Sequence, residues 1–421
     1  MIITKFSKKN IFYLLIIISG LLFYLYYGVY KILFVDFNIS GEDFTRGCFA
    51  ARNFISGRPI YDMPPFVHPF AYSPPVTLMF LPFAKLSNTT AKTLWLLLGH
   101  ILTGLCFWQL YRYGEKESRL RSAAAAAAVI AFSTPLYQML FNGNINILIF
   151  FGLSLAYAGL LSGRSSFIPA VIALFSLIKV FPAILMGVFV RRRNYLYAGY
   201  FVLTIIIMAV VSFSVFGLES NITYVHQLPG MARFAGIFHT MSLTFVIKLF
   251  RPAASMHTLF FGNLAFFCVL AVSWWKASGI KEGEEARPGF GMTDLFALTV
   301  ILVLTFPLSW VIYPALFIVP FYFVVFSLLE GRRDFKHIWV FVLAFLLMNF
   351  WEIIYYHFPL APGGLTIGRI EQEQAMHPLL YRLIFSMHFA ASLALFTWIL
   401  SNYKALVDNI ERIALPDRNG E

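Results

Sequence analysis

Carboxylates and arginines are concentrated in one short segment that follows the first apolar run. They are Asp36, Glu42, Asp43, Arg46, Arg52 and Arg58. A carboxylate can accept the proton of an attacking hydroxyl group. A cationic group can hold a phosphate whose negative charge increases as it leaves. The segment therefore predicts proton transfer from an alcohol beside a bound phosphate. Asp43 is the candidate base, with Glu42 and Asp36 as further carboxylates.

The same segment also has a purely structural interpretation. Ser40 and Asp43 have the spacing of a capping box, in which both side chains satisfy the first N–H groups of a helix. Phe44 and Cys48 begin an apolar pattern at helical spacing, which predicts a short amphipathic helix at the membrane surface, ended by Gly57. A capped carboxylate can still face a cleft, so both interpretations remain open.

A second short helix is expected further along this segment. Pro74 begins an apolar stretch that continues to Leu86. The phrase Asn88-Thr89-Thr90 then offers caps for the start of the next long helix. The sequence thus predicts two surface helices before the second crossing of the membrane.

The remaining chain has the composition of a membrane protein. Hydrophobic residues make up 59% of 421 positions and charged residues 12%, whereas a soluble domain carries about 25% charged residues. The sequence contains no strand–glycine-loop–helix unit, so it gives no indication of nucleotide binding. The formal net charge of +12 indicates cytoplasmic loops rather than nucleic acid binding. The cysteines and histidines lack metal-ligand spacing, so they predict no metal site. No cofactor is expected, and the sequence leaves open whether a divalent metal is needed.

Ten apolar runs approach the roughly 20 residues that a membrane-crossing helix needs. They are 11–35, 91–111, 123–141, 145–162, 195–217, 257–276, 293–309, 311–329, 337–356 and 379–401. The first run is too long for a signal-peptide core and is expected to remain uncleaved. The predicted fold is an all-α polytopic bundle of about 10–12 hydrophobic helices, forming a single domain over residues 1–421.

One apolar run, 166–190, is interrupted by Lys179 and Pro182. Each half is too short to cross a bilayer, and proline breaks a helix. The run is either one kinked span or a re-entrant hairpin with both ends on one side. Because Arg164 precedes it and Arg191 to Arg193 follow it, the hairpin keeps all basic loops in the cytoplasm.

This layout assigns the two faces of a cell (inner or plasma) membrane. Both termini, including the tail 402–421, are expected in the cytoplasm. The segments 36–90, 218–256 and 357–378 then face outwards, and the candidate carboxylates with them. Lys179 has two open interpretations, as a phosphate ligand or as a structural residue at the hairpin tip, since an ionisable group at membrane depth needs a cavity or a partner.

The order of several short motifs resembles that of a known family. The motifs are Gly41-Glu42-Asp43, Ala50-Ala51, Gly57-Arg58-Pro59-Ile60-Tyr61, Tyr72-Ser73-Pro74-Pro75, Gly143-Asn144-Ile145-Asn146, Ile178-Lys179-x-x-Pro182, Arg191 to Arg193, Thr240-Met241-Ser242-Leu243 and Ser309-Trp310. Their order over residues 41–310 resembles glycosyltransferase family 87, whose members belong to the GT-C superfamily. Such enzymes transfer mannose or arabinose from a polyprenyl-phosphate carrier, on the outer leaflet, to a glycolipid or glycan.

The resemblance implies roles for individual residues. Asp43 would be the general base. The family's phosphate-side histidine follows its Ser-Trp motif, where this chain has Tyr313, and His239 is a further candidate for that role. Asn144 stands where the family has a glutamine. The expected ligands of the donor phosphate and substrate are Lys179, Arg46, Arg52, Asn144, Asn146, His239 and Tyr313.

The expected partners are a lipid-linked sugar donor, a glycolipid or glycan acceptor and the lipid bilayer, with no nucleic acid. Two other functions remain open. A transporter or lipid flippase commonly shows internal repeats and paired broken helices, and the single hairpin has no clear counterpart. An O-antigen-type polymerase or ligase would carry its main outer loop late in the chain, whereas the longest loop here follows the first span.

Overall fold

The computed structural model describes residues 8–38, 40–64, 70–114, 118–162, 166–179, 181–233, 242–251, 253–279, 287–306, 312–332, 334–357 and 378–414. These residues are predominantly helical and include no β-strand. The all-α fold class is confirmed. A chain that places apolar segments in lipid must satisfy its backbone hydrogen bonds within each segment, which a helix achieves.

Seventeen α-helices account for most of the described residues. They are α1 Lys8–Phe23, α2 Glu42–Ile55, α3 Thr77–Ala84, α4 Asn88–Tyr113, α5 Arg119–Ala131, α6 Thr134–Phe141, α7 Asn146–Ser162, α8 Ile168–Ile178, α9 Gly187–Arg191, α10 Tyr195–Arg233, α11 Leu243–Phe250, α12 Met256–Ser278, α13 Pro288–Thr305, α14 Ile318–Leu329, α15 Ile338–His357, α16 Pro378–Ser401 and α17 Tyr403–Ala414. A π-helix, Tyr24–Val35, continues α1, and 3-10 helices at Pro74–Val76, Phe181–Met186 and Tyr313–Phe317 precede α3, α9 and α14.

Five helical segments of the described chain are long and apolar enough to cross a membrane, or seven if two bent pairs each count as one span. The five are Lys8–Val35, Asn88–Tyr113, Tyr195–Leu228, Met256–Ser278 and Pro288–Thr305. Six shorter apolar helices accompany them. α13 is buried along almost its whole length and is apolar all round, as expected of the central helix of a bundle. The polytopic architecture is therefore confirmed.

The bundle has two ends. At one end the Tyr13 hydroxyl donates to the Leu329 carbonyl oxygen at 2.8 Å, and Arg121 pairs with Glu330 at 2.9 Å. We call this the basal end. The first span rises about 30 Å between Tyr13 and Asp36. Asp36 therefore lies at the opposite end, which we call the loop end.

The interrupted apolar segment is broken at Lys179, whose backbone is extended (φ −147°, ψ 131°). A Cβ atom added to Gly291 would lie 2.6 Å from Nη1 of Arg192 and 3.3 Å from the side chain of Leu160. The residues that precede and follow the segment are thus neighbours beside the start of α13. The tip instead reaches Tyr313, which accepts a hydrogen bond from Lys179. The position of this hairpin in the bilayer stays a prediction.

The surface helices of the first loop lie close to their predicted positions. α2 ends at Ile55 shortly before Gly57, which has a left-handed backbone (φ 69°). The prediction that the Asn88-Thr89-Thr90 phrase supplies the cap of α4 is wrong. Ser87 is the N-cap, and its hydroxyl oxygen accepts a hydrogen bond from the Thr90 N–H at 3.2 Å. Serine is a favourable N-cap, so Ser87 takes this role and Asn88 becomes the first residue of the helix.

Candidate active site

α2 presents Asp43 in its first turn, and the end of another helix completes that turn. Gly41 precedes α2 in a left-handed conformation (φ 75°) that favours glycine. The Gly41 N–H donates to the Phe141 carbonyl oxygen at 2.7 Å, and the Asp43 N–H donates to that of Asn142 at 3.0 Å. The unpaired donors at the start of α2 therefore meet the unpaired acceptors at the end of α6.

The capping-box prediction for Ser40 and Asp43 is wrong. The Ser40 hydroxyl donates to the Phe37 carbonyl oxygen at 2.9 Å, and no side chain caps α2. The residue Asp43 is 5% exposed, and its Oδ2 accepts a hydrogen bond from the Asn144 amide. Its Oδ1 pairs with Nη1 of Arg46 at 3.1 Å. Because the backbone of α6 satisfies the helix start, the carboxylate contacts side chains from two separate segments.

A tight turn before α7 holds Asn144 against Asp43. Gly143 has φ 59°, and a Cβ atom there would lie 3.0 Å from the Gly41 Cα, so glycine fits this close approach. Nε1 of Trp95 donates to the Gly143 carbonyl oxygen at 2.9 Å. The Asn144 side-chain oxygen accepts from the Asn146 N–H at 2.9 Å. The amide is therefore fixed with its NH2 group towards Asp43.

Lys179 adds a second cation to the neighbourhood of Asp43. Its Nζ donates to the Tyr313 hydroxyl at 2.7 Å. The same Nζ lies 5.2 Å from the centre of the Tyr313 ring and 5.8 Å from that of Tyr72. Lys179 and Arg46 both act electrostatically on Asp43. The hairpin tip therefore places an ammonium group on the same site as the α2 carboxylate.

Burial dominates the protonation of Asp43. It raises the pKa of the carboxyl group above its ordinary value, because water no longer solvates the charged form. The charges of Arg46 and Lys179 and the Asn144 hydrogen bond lower the pKa, and Glu42 raises it. The balance remains upwards. A carboxylate with a raised pKa is a stronger base, which suits proton abstraction.

The family model of glycosyltransferase family 87 matches residues 70–307, more than half of the chain. The chain belongs to glycosyltransferase family 87. It is therefore a membrane glycosyltransferase, and its apolar helices make it a multi-pass protein. No curated protein matches the chain.

The region matched by the family 87 model contains only part of the candidate site. Asn144, Asn146 and Lys179 lie within it, whereas Asp43 precedes it and Tyr313 follows it. The structure brings these parts together, because Asn144 bonds to Asp43 and Lys179 bonds to Tyr313. Asn146 is fully buried, and neither its side-chain oxygen nor its side-chain nitrogen has a hydrogen-bond partner among the described residues.

The other residues predicted for the first loop differ in their placement. Glu42 is exposed and bridges to Arg46. Among the described residues, Asp36 makes no side-chain hydrogen bond or ion pair. The side chain of Arg52 reaches from α2 to the end of α3, where its Nε donates to the Ala84 carbonyl oxygen at 3.0 Å. The structure thus does not bring Asp36 or Arg52 to the Asp43 carboxylate. His239, together with Thr240, Met241, Ser309 and Trp310 of the sequence motifs, lies outside the described residues.

Two residues of α4 support the site and were missed in the sequence. Nζ of Lys92 donates to the carbonyl oxygens of Phe37 and, at 3.1 Å, of Ser40, just before Gly41. Trp95, one turn further along, holds the Gly143 carbonyl. One face of α4 therefore fixes both the segment before Asp43 and the turn before Asn144. A lysine and a tryptophan at the start of a span are also typical of an interfacial belt, so their types alone gave no distinguishing signal.

Proposed function

We propose that this protein transfers a sugar from a polyprenyl-phosphate carrier to a hydroxyl group of a glycolipid or glycan, with Asp43 as the general base. One observation carries this proposal: a buried carboxylate, oriented by Asn144, lies in the electrostatic field of Lys179 at the tip of a broken helix. The carboxylate can take a proton, and the cation can receive a phosphate.

The proposed reaction divides these roles. The acceptor oxygen forms a bond to the anomeric carbon of the sugar as the bond from that carbon to the phosphate oxygen breaks. The hydroxyl proton moves to Asp43, and the electron pair leaves with the lipid phosphate. Negative charge therefore grows on the phosphate, where a cation stabilises it.

Lys179 fits the phosphate side better than Arg46 does. Arg46 already pairs with Asp43 at 3.1 Å and with Glu42. Lys179 donates a hydrogen bond to a neutral phenol, the Tyr313 hydroxyl, at 2.7 Å. An ammonium group bound to a phenol retains its charge for an incoming anion, and the Tyr313 hydroxyl can donate to a phosphate oxygen. Arg46 then serves mainly to hold Asp43.

The family and the membrane setting support a lipid-phosphate donor. A lipid carrier brings its own phosphate and a long apolar tail, so no nucleotide-binding domain is needed. The resemblance of the motifs supports a mannose-like hexose or arabinose as the sugar. The site would then operate at the interface between lipid headgroups and water.

We further propose that the loop end faces outwards from the cell membrane. The basal end holds arginines from several chain segments, including Arg121, Arg192 and Arg412. Excess Lys and Arg mark the cytoplasmic side of membrane proteins. This supports cytoplasmic termini and an outer site.

The test is transfer from radiolabelled polyprenyl-phosphate mannose or arabinose in membranes that contain the protein. Asp43→Asn should lower product formation by about 10²–10⁴-fold, the usual contribution of a general base. Asp62→Asn is the matched control, because Asp62 is an exposed carboxylate of the same loop. Detergent-extracted Asp43→Asn protein should keep the wild-type melting temperature.

The outcomes separate the competing functions. Undiminished transfer by the folded Asp43→Asn variant would remove Asp43 from the mechanism. Lipid flipping or uptake by purified protein in liposomes, without any new glycosidic bond, would favour the transporter. Products that grow by whole repeat units would favour the polymerase or ligase.

A further inference from the structure

A second polar site lies at the basal end, away from Asp43. It is a cavity of about 460 Å³ where the loop after α14 and the start of α15 meet the junction of α16 and α17. We call it the basal cavity. Its charged lining residues are Arg332, Asp334, Lys336, Lys404, Asp408 and Arg412. The proposed sugar transfer uses none of them.

Two lysines of the basal cavity take no part in the ion pairs around it. Asp408 pairs with Arg287 at 3.0 Å. Arg332 pairs with Glu330 at 3.1 Å and with Asp334 at 3.6 Å, and Arg412 pairs with Glu330 at 2.6 Å. Lys336 and Lys404 are exposed, and neither pairs with a carboxylate in the part of the chain that the structure describes. The cavity therefore presents two ammonium groups whose charge is not compensated locally. Such a pair attracts an anion with several acceptor oxygens.

The backbone beneath Lys336 is held in place by side chains of α16 and its junction with α17. The Asn402 side-chain oxygen accepts from the Lys336 N–H at 2.6 Å, and its NH2 group donates to the Lys336 carbonyl oxygen at 3.1 Å. Nε1 of Trp398 donates to the same carbonyl oxygen at 3.0 Å. Lys336 thus starts from a fixed point on the cavity wall rather than from a loose loop.

The surroundings of the basal cavity fit the depth of lipid headgroups. α16 ends at Ser401, and α17 turns away from it by 79°, so that it crosses the base of the bundle. α15 starts beside Lys336 and exposes apolar side chains at helical spacing. They are Trp339, Val342, Leu343 and Leu346. An exposed tryptophan beside a lysine is typical of the interface, and the apolar stripe leads from the cavity into the hydrocarbon.

We propose that the basal cavity binds an anionic phospholipid, whose phosphate contacts Lys336 and Lys404 and whose acyl chain lies along the α15 stripe. A free phosphate shares the headgroup chemistry but would make no use of the stripe. Basic pockets between helices at the cytoplasmic side are suited to such headgroups. The bound phosphate would link α15 to α17, because Lys336 lies just before α15 and Lys404 lies in α17.

The test uses the full chain in nanodiscs of phosphatidylcholine that contain a small fraction of phosphatidylglycerol, with bound lipid counted by native mass spectrometry. Wild-type protein should retain phosphatidylglycerol in preference to phosphatidylcholine. Each of Lys336→Gln and Lys404→Gln should weaken retention about fivefold, and the double variant about 25-fold, as expected for lysines near an anionic surface.

The matched control is the double variant Lys8→Gln/Lys9→Gln, which removes two exposed lysines from the same end of the first span. It should retain phosphatidylglycerol as the wild type does. Equal loss in this control would indicate a diffuse surface attraction and overturn the site. Displacement of the lipid by inorganic phosphate at similar concentration would assign the cavity to a free anion and overturn the lipid. Unchanged melting temperatures would confirm that both variants fold.

Discussion

Two buried carboxylates, one near each end of the bundle, have similar surroundings and different partners. Asp43 is 5% exposed at the loop end, and Asp294 is fully buried in the first turns of α13. Asp294 Oδ1 accepts hydrogen bonds from Nε1 of Trp274 at 2.7 Å and from the Tyr403 hydroxyl. Asp43 is instead bonded by the Asn144 amide. Both have two cations within electrostatic reach.

The difference shows that burial beside cations does not by itself identify a catalytic carboxylate. Trp274 and Tyr403 belong to α12 and α17, so Asp294 joins three helices through their packed side chains. Asp43 lies outside the spans, in a surface helix, and one of its cations sits at a helix break. A structural carboxylate is tied by bulky donors from packed helices. The candidate base is instead held by Arg46 of its own short helix and by Asn144 of a turn.

The largest expected effect separates these roles directly. Asp294→Ala should lower the free energy of unfolding by about 3 kcal/mol, because it leaves buried donors and nearby arginines without their partner. Transfer per folded molecule should stay close to that of the wild type. Asp43→Asn should show the reverse, with transfer lost and stability kept. Melting curves and transfer assays on the same purified samples test this. Loss of transfer in folded Asp294→Ala protein would contradict the distinction between a structural Asp294 and a catalytic Asp43.

Removal of the hairpin cation should have the next largest effect. Lys179→Gln should reduce kcat/KM for the lipid-phosphate donor by about 10²–10³-fold, the loss typical for one group that stabilises transition-state charge. Lys179→Arg should restore part of this, since it keeps the charge. Lys85→Gln, an exposed lysine of the first loop, is the control. If Lys179→Gln lowers only the affinity for the acceptor, Lys179 acts on the acceptor and not on the donor phosphate.

The pH profile sharpens the assignment of Asp43. A general base must be deprotonated, so kcat/KM should fall as the pH decreases through the pKa of Asp43. Burial raises that pKa, and the acid limb should therefore lie above the value of about 3.9 for a free aspartate. Arg46→Gln should move the limb further up, because Arg46 lowers the pKa. Arg58→Gln, an exposed arginine of the same loop, should not move it.

The helices could be predicted from the sequence more fully than their bends. Most of the described residues of the ten apolar runs are helical, because a long apolar segment in lipid has few other solutions. The 56° bend between α5 and α6 falls within the predicted run 123–141. The change of direction at Gly217 (φ 73°) lies at the end of the run 195–217. Bends of this kind depend on packing between helices, which hydropathy along one helix does not report.

The site was predictable only where its residues are close in sequence. Asp43 was indicated by charges in its own loop. Asn144 was expected only as a ligand of the donor phosphate or substrate, and its hydrogen bond to Asp43 was not predicted. The capping box failed because carbonyl groups of α6, about a hundred residues away, satisfy the start of α2. The support from Lys92 and Trp95 could not be foreseen, since it requires that the first loop fold back over α4. Contacts between distant segments decide these features.

The smallest expected effect tests that support. Trp95→Phe removes the hydrogen bond to the Gly143 carbonyl oxygen and keeps an aromatic ring beside Phe44. A bond of this kind contributes about 1 kcal/mol, so kcat should fall about fivefold, with KM for the donor unchanged. The acid limb of the pH profile should also rise, because a displaced Asn144 no longer lowers the pKa of Asp43.

Trp108→Phe is the matched control for this effect, because Trp108 lies on the same helix and is 54% exposed. It should change neither kcat nor the acid limb. If Trp95→Phe lowers stability alone and leaves the pH profile in place, Trp95 only packs α4 against the first loop. A shifted pH profile would instead show that Trp95 sets the orientation of the Asn144 amide that holds Asp43. The contrast between Asp43 and Asp294 would then extend to the residues that position each carboxylate.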